Sequence, residues 1–134
     1  MPKGVIKYRK RALQVNDFSG LVRHRGITPT DIDGYIEYNG VAFLFMEGKH
    51  KNAAECYGQK LAFKHLVDAI NGTEKIACAI VYIHETHSYE DVDVSTCLVS
   101  EVYWKGMWFS ENKRTVIEFI ESFEQYARDQ GLKI

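Results

Sequence analysis

The sequence has little of what marks several common classes of protein. Proline occurs only at Pro2 and Pro29, and the three cysteines (Cys56, Cys78, Cys97) are too few and too widely spaced for a CxxC metal knuckle. Because their number is odd, a complete disulfide framework is not expected, and the chain looks like a reduced, cytoplasmic protein. No apolar run reaches the roughly 18 residues of a membrane span, and no signal peptide is apparent, so no contact with a membrane is expected.

The length and composition are ordinary for a folded protein. The chain has 134 residues, of which 46% are hydrophobic, and it contains neither repeats nor low-complexity tracts. This is enough apolar material for one compact domain with its own core. We therefore expect a single domain covering residues 1–134.

The net charge of −1 hides an uneven distribution of charge. Residues 1–25 hold seven basic side chains against one acid, Asp17, and so carry +6, whereas the remainder carries −7. Such a segment can attract phosphates on a molecule that is nearly neutral overall, and it can equally be a solubilising tail. The candidate DNA-binding residues in it are Lys7, Arg9, Lys10, Arg11, Arg23 and Arg25.

The apolar pattern predicts a mixed sheet with helices packed against it, an α/β (α+β) architecture. Residues 12–24 predict a short helix or an irregular segment. The later elements are predicted as strands at Asp31–Tyr38 and Val41–Lys49, a helix from an Asn52 cap with Glu55 completing a capping box to Asn71-Gly72, a buried strand at Ile76–His84, one or two strands within Val92–Trp108, and a helix after Ser110 that Gly131 ends.

Asn39-Gly40 between the first two strands is a strong hairpin signal, and the loop length decides which side chains share a face. A two-residue loop would place Asp31 and Asp33 on the face opposite Glu47. A three-residue loop with Gly40 in the left-handed region would place Asp31 opposite Glu47 and Asp33 diagonally beside it. We predict the three-residue loop, because it gathers charge with charge instead of placing Asp33 against apolar side chains.

The resulting cluster has the chemistry of a divalent-metal site. Two or three carboxylates near one another supply the anionic oxygens that Mg²⁺ or Mn²⁺ needs, and Lys49, two residues after Glu47, lies on the same face. The amine can then hold a water molecule or a phosphate oxygen. This arrangement predicts a phosphodiesterase.

Asp33, followed after fourteen residues by Glu47-Gly48-Lys49, resembles the PD-(D/E)XK nuclease superfamily, whose fold is restriction-endonuclease-like. Ile32-Asp33-Gly34 is similar to the acidic strand of RecB-like and Holliday-junction-resolvase-like members. Tyr57-Gly58-Gln59-Lys60-Leu61 is similar to the glutamine-bearing helix that follows their lysine. The run from Pro29 to Lys64 also resembles small nucleases encoded by bacteriophages.

The resemblance implies a DNA endonuclease with Mg²⁺ or Mn²⁺ as its cofactor, of the kind that resolves branched DNA in replication, recombination or repair. It implies catalytic roles for Asp33, Glu47, Lys49 and Gln59, with Asp33, Glu47 and the Gly48 carbonyl as metal ligands. Thr30-Asp31 stands where the family has Pro-Asp, so Asp31 is an additional candidate ligand. Cleavage of a junction would require a symmetric homodimer.

Other interpretations stay open. The chain could keep the fold without the chemistry and act as a nucleic-acid-binding or assembly module. It could also be a protein-interaction domain that uses the aromatic cluster Tyr103–Phe109 around Lys105-Gly106. That cluster fits a base-stacking platform or a dimer surface, although core packing is the favoured interpretation.

Overall fold

The computed structural model of the protein describes residues 3–12, 14, 16–51, 57–87 and 90–134. The chain divides into two compact units, Met1–Thr30 and Asp31–Ile134. The expectation of a single domain over the whole chain stays a prediction.

The first unit has little regular structure. It contains a one-turn helix, α1 (Arg9–Ala12), and two 3₁₀ turns, Ser19–Leu21 and His24–Gly26. The helix or irregular segment predicted over residues 12–24 is therefore mostly irregular, although Leu13 and Val15 lie outside the described residues. Five of the candidate DNA-binding residues of this unit are exposed: Lys7, Lys10, Arg11, Arg23 and Arg25. The side chain of the sixth, Arg9, is not described.

The second unit is an open five-stranded mixed sheet flanked by two helices. Its strands lie in the order β1-β2-β3-β4-β5, and only β2 and β3 are parallel. This confirms the predicted α+β architecture. The elements are β1 (Gly34–Tyr38), β2 (Ala42–His50), α2 (Tyr57–Asn71), β3 (Ile76–His84), β4 (Leu98–Trp104), β5 (Met107–Ser110) and α3 (Val116–Asp129).

Helix α2 makes the crossover that a parallel pair requires. It buries Phe63 and Val67 on one face of the sheet, against Phe45 of β2 and Tyr103 of β4. At its end the amide of Asn71 donates to the Ala77 carbonyl and accepts from the Ala77 N–H, at 3.1 and 2.8 Å. The predicted cap residues Asn52 and Glu55 lie outside the described residues.

Helix α3 covers the opposite face of the sheet. Thr115 and Glu118 form a capping box at its start, and its apolar stripe, which includes Phe119 and Phe123, joins the core around Leu44. Gly131 follows the helix with a φ of +82°. The sequence predicted both the helix after Ser110 and this stop.

The Tyr103–Phe109 cluster contributes mainly to packing. Tyr103 is fully buried, and Trp104 and Trp108 are half-buried, while Phe109 is 40% exposed on the edge strand β5. Only one ring of the cluster is thus freely exposed, which favours the core interpretation.

Two absences were expected from composition. In the described part of the chain, no helix is long and apolar enough to cross a membrane. Cys78 and Cys97 are buried free thiols, and Cys56 is not among the described residues.

Candidate active site

The β1–β2 hairpin determines which carboxylates can meet. Its ladder starts at the pair Tyr38–Ala42 and ends at Gly34–Met46, so the loop has three residues, as predicted. Asn39 and Gly40 both have positive φ, 50° and 73°, and Val41 is the extra residue. Because Gly34 pairs with Met46, Asp33 lies at the position opposite Glu47.

The predicted loop length was right, but the predicted register of β1 against β2 was wrong by one residue in each strand. We expected Asp31 opposite Glu47 and Asp33 diagonal to it, whereas Asp33 takes the opposite position. Asp31 precedes β1 by three residues and is exposed. Asp31, the additional candidate ligand, therefore lies outside the cluster of Asp33, Glu47 and Lys49.

Asp33 is held by the backbone of the neighbouring strand. Its Oδ2 accepts a hydrogen bond from the Gly48 N–H at 2.8 Å. A carboxylate fixed by a backbone donor has one defined orientation, which here is beside Glu47. Gly48 thus contacts the site through its N–H group, and a role of its carbonyl as a metal ligand stays a prediction.

Glu47 is a carboxyl group buried without full compensation. It is 5% exposed, and its Oε2 has no hydrogen-bond partner among the described residues. Burial, followed by the negative charge of Asp33, raises the pKa of Glu47 to about 7 against an ordinary 4.5, although Lys49 acts in the opposite direction. A buried acceptor that lacks a donor is costly, and either a proton shared with Asp33 or a bound cation would relieve that cost.

Lys49 connects Glu47 with the helix that follows. Its Nζ lies 3.3 Å from Glu47 Oε1 and donates to Gln59 Oε1 at 2.8 Å. Gln59 lies in the first turn of α2, and alternation along β2 puts Glu47 and Lys49 on the face that α2 covers. The four predicted catalytic side chains therefore lie together.

Gly48 has no side chain because a neighbouring ring occupies the space. It lies opposite Tyr82 of β3, and a Cβ at Gly48 would lie 2.7 Å from the Cε2, Cζ and Oη atoms of Tyr82. Burial, with smaller contributions from Asp33 and Glu47, raises the pKa of Tyr82 to about 12. Sequence reasoning did not identify Tyr82, because its place in a long apolar run marks it only as a core residue.

The donor set fits a magnesium ion that keeps most of its water. Across the described part of the chain, no three His, Cys, Asp or Glu side chains are close enough to hold one metal ion. Mg²⁺, however, is commonly bound by only one or two carboxylates and several waters. Asp33 and Glu47, with the unpaired Oε2 of Glu47, satisfy that requirement.

Comparison of the chain with family models, with curated proteins and with solved structures found no match. Membership of the PD-(D/E)XK superfamily stays a prediction from the motif.

Proposed function

We propose that the protein is a metal-dependent DNA endonuclease of the PD-(D/E)XK type, which hydrolyses phosphodiester bonds with Mg²⁺ or Mn²⁺. The observation that carries the proposal is the convergence of Asp33, Glu47, Lys49 and Gln59 around an unpaired, buried Glu47 oxygen. Such a group costs stability unless a ligand completes it, so a functional origin is the simpler explanation.

Each side chain has a distinct part in the proposed reaction. Asp33, oriented by the Gly48 N–H, and Glu47 hold the cation. When bound, the cation supplies a more acidic water and neutralises charge on the scissile phosphate. Lys49 provides a fixed positive charge beside the attacking water or a phosphate oxygen, and Gln59 holds the Lys49 amine in place.

Cleavage of supercoiled plasmid in Mg²⁺ tests this proposal. The parent protein should nick or linearise the plasmid, and Lys49→Ala should reduce the rate by about a hundredfold or more with the fold intact. The matched control is Lys75→Ala, which removes an exposed lysine next to β3. Undiminished cutting by Lys49→Ala would remove the proposed mechanism.

The alternative is a nucleic-acid-binding or assembly module that has the fold without catalysis. It is favoured by the finding that, among the described residues, no three His, Cys, Asp or Glu side chains are close enough to hold a metal ion. Calorimetric titration with Mn²⁺ separates the two functions. A bound ion that Glu47→Ala abolishes supports the enzyme, whereas DNA affinity with no ion bound by either protein supports the module.

Branched DNA is the substrate we favour, on the resemblance to resolvases. A four-way junction needs two cuts on opposed strands, so the active species would be a two-fold dimer. Preferential cutting of a four-way junction over a linear duplex of the same sequence, by a protein that elutes as a dimer, is the expected result. Equal cutting by a monomer would exclude this substrate class.

A further inference from the structure

A second lysine, which belongs to α2, lies beside the candidate active site in an ion pair. Lys60, next to Gln59, binds Glu101 of β4 through its Nζ, which also lies 4.9 Å from the centre of the Trp108 ring. Both charged side chains are mostly covered, with 21% of Lys60 and 22% of Glu101 exposed. Neither Lys60 nor Glu101 belongs to the predicted catalytic set.

The strand register places this pair in line with the catalytic carboxylates. Glu47 is opposite Val81 of β3, and Val81 is opposite Glu101, so the three residues form one row across the sheet under α2. Glu101 is two strands away from Glu47, about 9.6 Å at the usual strand spacing. A strand whose scissile phosphate lies at the catalytic carboxylates would bring a neighbouring phosphate near Lys60, in the first turn of α2.

Stability alone does not explain the pair at that position. Taking two charges out of water costs about as much as their attraction returns, so a largely covered ion pair adds little stability. Lys49 is already bound to Glu47 and Gln59. A second phosphate at the site would therefore need another cation, and Lys60 is adjacent.

We propose that Lys60 forms a binding subsite for the phosphate next to the scissile phosphate. Lys60 contacts that phosphate, and the Trp108 ring supports the lysine side chain. Glu101 holds the Lys60 amine until the phosphate replaces it. This inference rests on the proposed nuclease function and extends it to a second substrate contact.

The test measures DNA binding separately from cleavage. Affinity for a fluorescein-labelled 30-base-pair duplex is measured by anisotropy in EDTA at several salt concentrations, using the full chain. Lys60→Met keeps the apolar stem over Trp108 and removes the charge. It should weaken binding about tenfold and reduce the salt slope by about one, and Lys60→Arg should restore both.

Helix α2 provides a matched control one turn later. Lys64 also pairs with an acid, Asp68, at 3.1 Å and lies 5.5 Å from the centre of an aromatic ring, that of Tyr103. Because Lys64 is farther from the carboxylate row, Lys64→Met should change neither affinity nor slope by more than about twofold. Glu101→Gln should strengthen binding several-fold, because it releases Lys60 and removes a negative charge.

Three outcomes overturn the proposal, in distinguishable ways. If the parent protein cuts plasmid but Lys60→Met has the same DNA affinity, salt slope and KM, the proposed subsite is excluded and the proposed nuclease function stands. Equal losses in Lys60→Met and Lys64→Met would show a general charge effect and no subsite. A parent that neither cuts nor binds DNA removes both the subsite and the proposed function.

Discussion

Replacing Glu47 with glutamine should stabilise the metal-free protein at alkaline pH. The substitution keeps the shape of the side chain, removes its charge, and supplies an amide that can donate to Asp33 as a protonated carboxyl group would. Because Glu47 is 5% exposed, its ionised form is disfavoured by burial and by the Asp33 charge.

The magnitude follows from the pKa of Glu47. This pKa is about 7 in the folded protein against an ordinary 4.5. At 1.36 kcal/mol per pKa unit, ionised Glu47 lowers the free energy of unfolding by about 3 kcal/mol at pH 8. The folded state holds its proton more tightly than the unfolded state, so stability falls as pH rises from 4.5 through 7 and stays low above that range.

Thermal and urea unfolding in EDTA at pH 5 and pH 8 provide the assay. Glu47→Gln should raise the unfolding free energy by about 3 kcal/mol at pH 8, a Tm increase on the order of 10 °C, and by less than about 1 kcal/mol at pH 5. Added Mg²⁺ should raise the Tm of the parent at pH 8 but not that of the variant, since only the parent keeps both carboxylates.

The control is Glu74→Gln, an exposed glutamate in the turn before β3, which should change stability little at either pH. A Glu47→Gln protein less stable than the parent at pH 8 would refute the reasoning. So would a stabilisation that is equal at the two pH values.

Two further predictions concern contacts within the sheet and at the end of α2. Gly48→Ala should cost about 1–3 kcal/mol of unfolding free energy, because its Cβ would lie 2.7 Å from the Tyr82 ring, and the cost should shrink in a Tyr82→Leu background. Asn71→Ala should cost about 2 kcal/mol, because it removes both partners of the buried Ala77 backbone. Urea unfolding measures the free energy of unfolding in both cases. Effects of Gly48→Ala and Tyr82→Leu that simply add in the double variant would contradict the first account. An Asn71→Ala protein as stable as the parent would contradict the second.

Much of the secondary structure could be predicted from the sequence because its signals are local. The continuous apolar run predicted strand β3 at Ile76–His84, where the structure has it. The Asn39-Gly40 signal predicted the hairpin, and the gathering of charge predicted a three-residue loop. Strand β1 begins three residues later than predicted, at Gly34, so Asp31 to Asp33 lie before the paired part of the strand.

The composition of the candidate site was only partly predictable. The motif indicated Asp33, Glu47, Lys49 and Gln59, and these side chains lie together. Glu101 had no signal of its own, because it is one acid in a strand that pairs with β3. Its neighbours are set by the order of the strands across the sheet.

The sequence by itself determined the alternation of faces along β2, and hence that Glu47 and Lys49 would share a side. Side-chain direction in a strand has a period of two residues, which is a property of the local backbone. Only the tertiary structure decided that Asp33, and not Asp31, lies opposite Glu47. A shift of the pairing by one residue in each strand keeps every face the same, so the pattern of polar and apolar residues cannot distinguish the two registers.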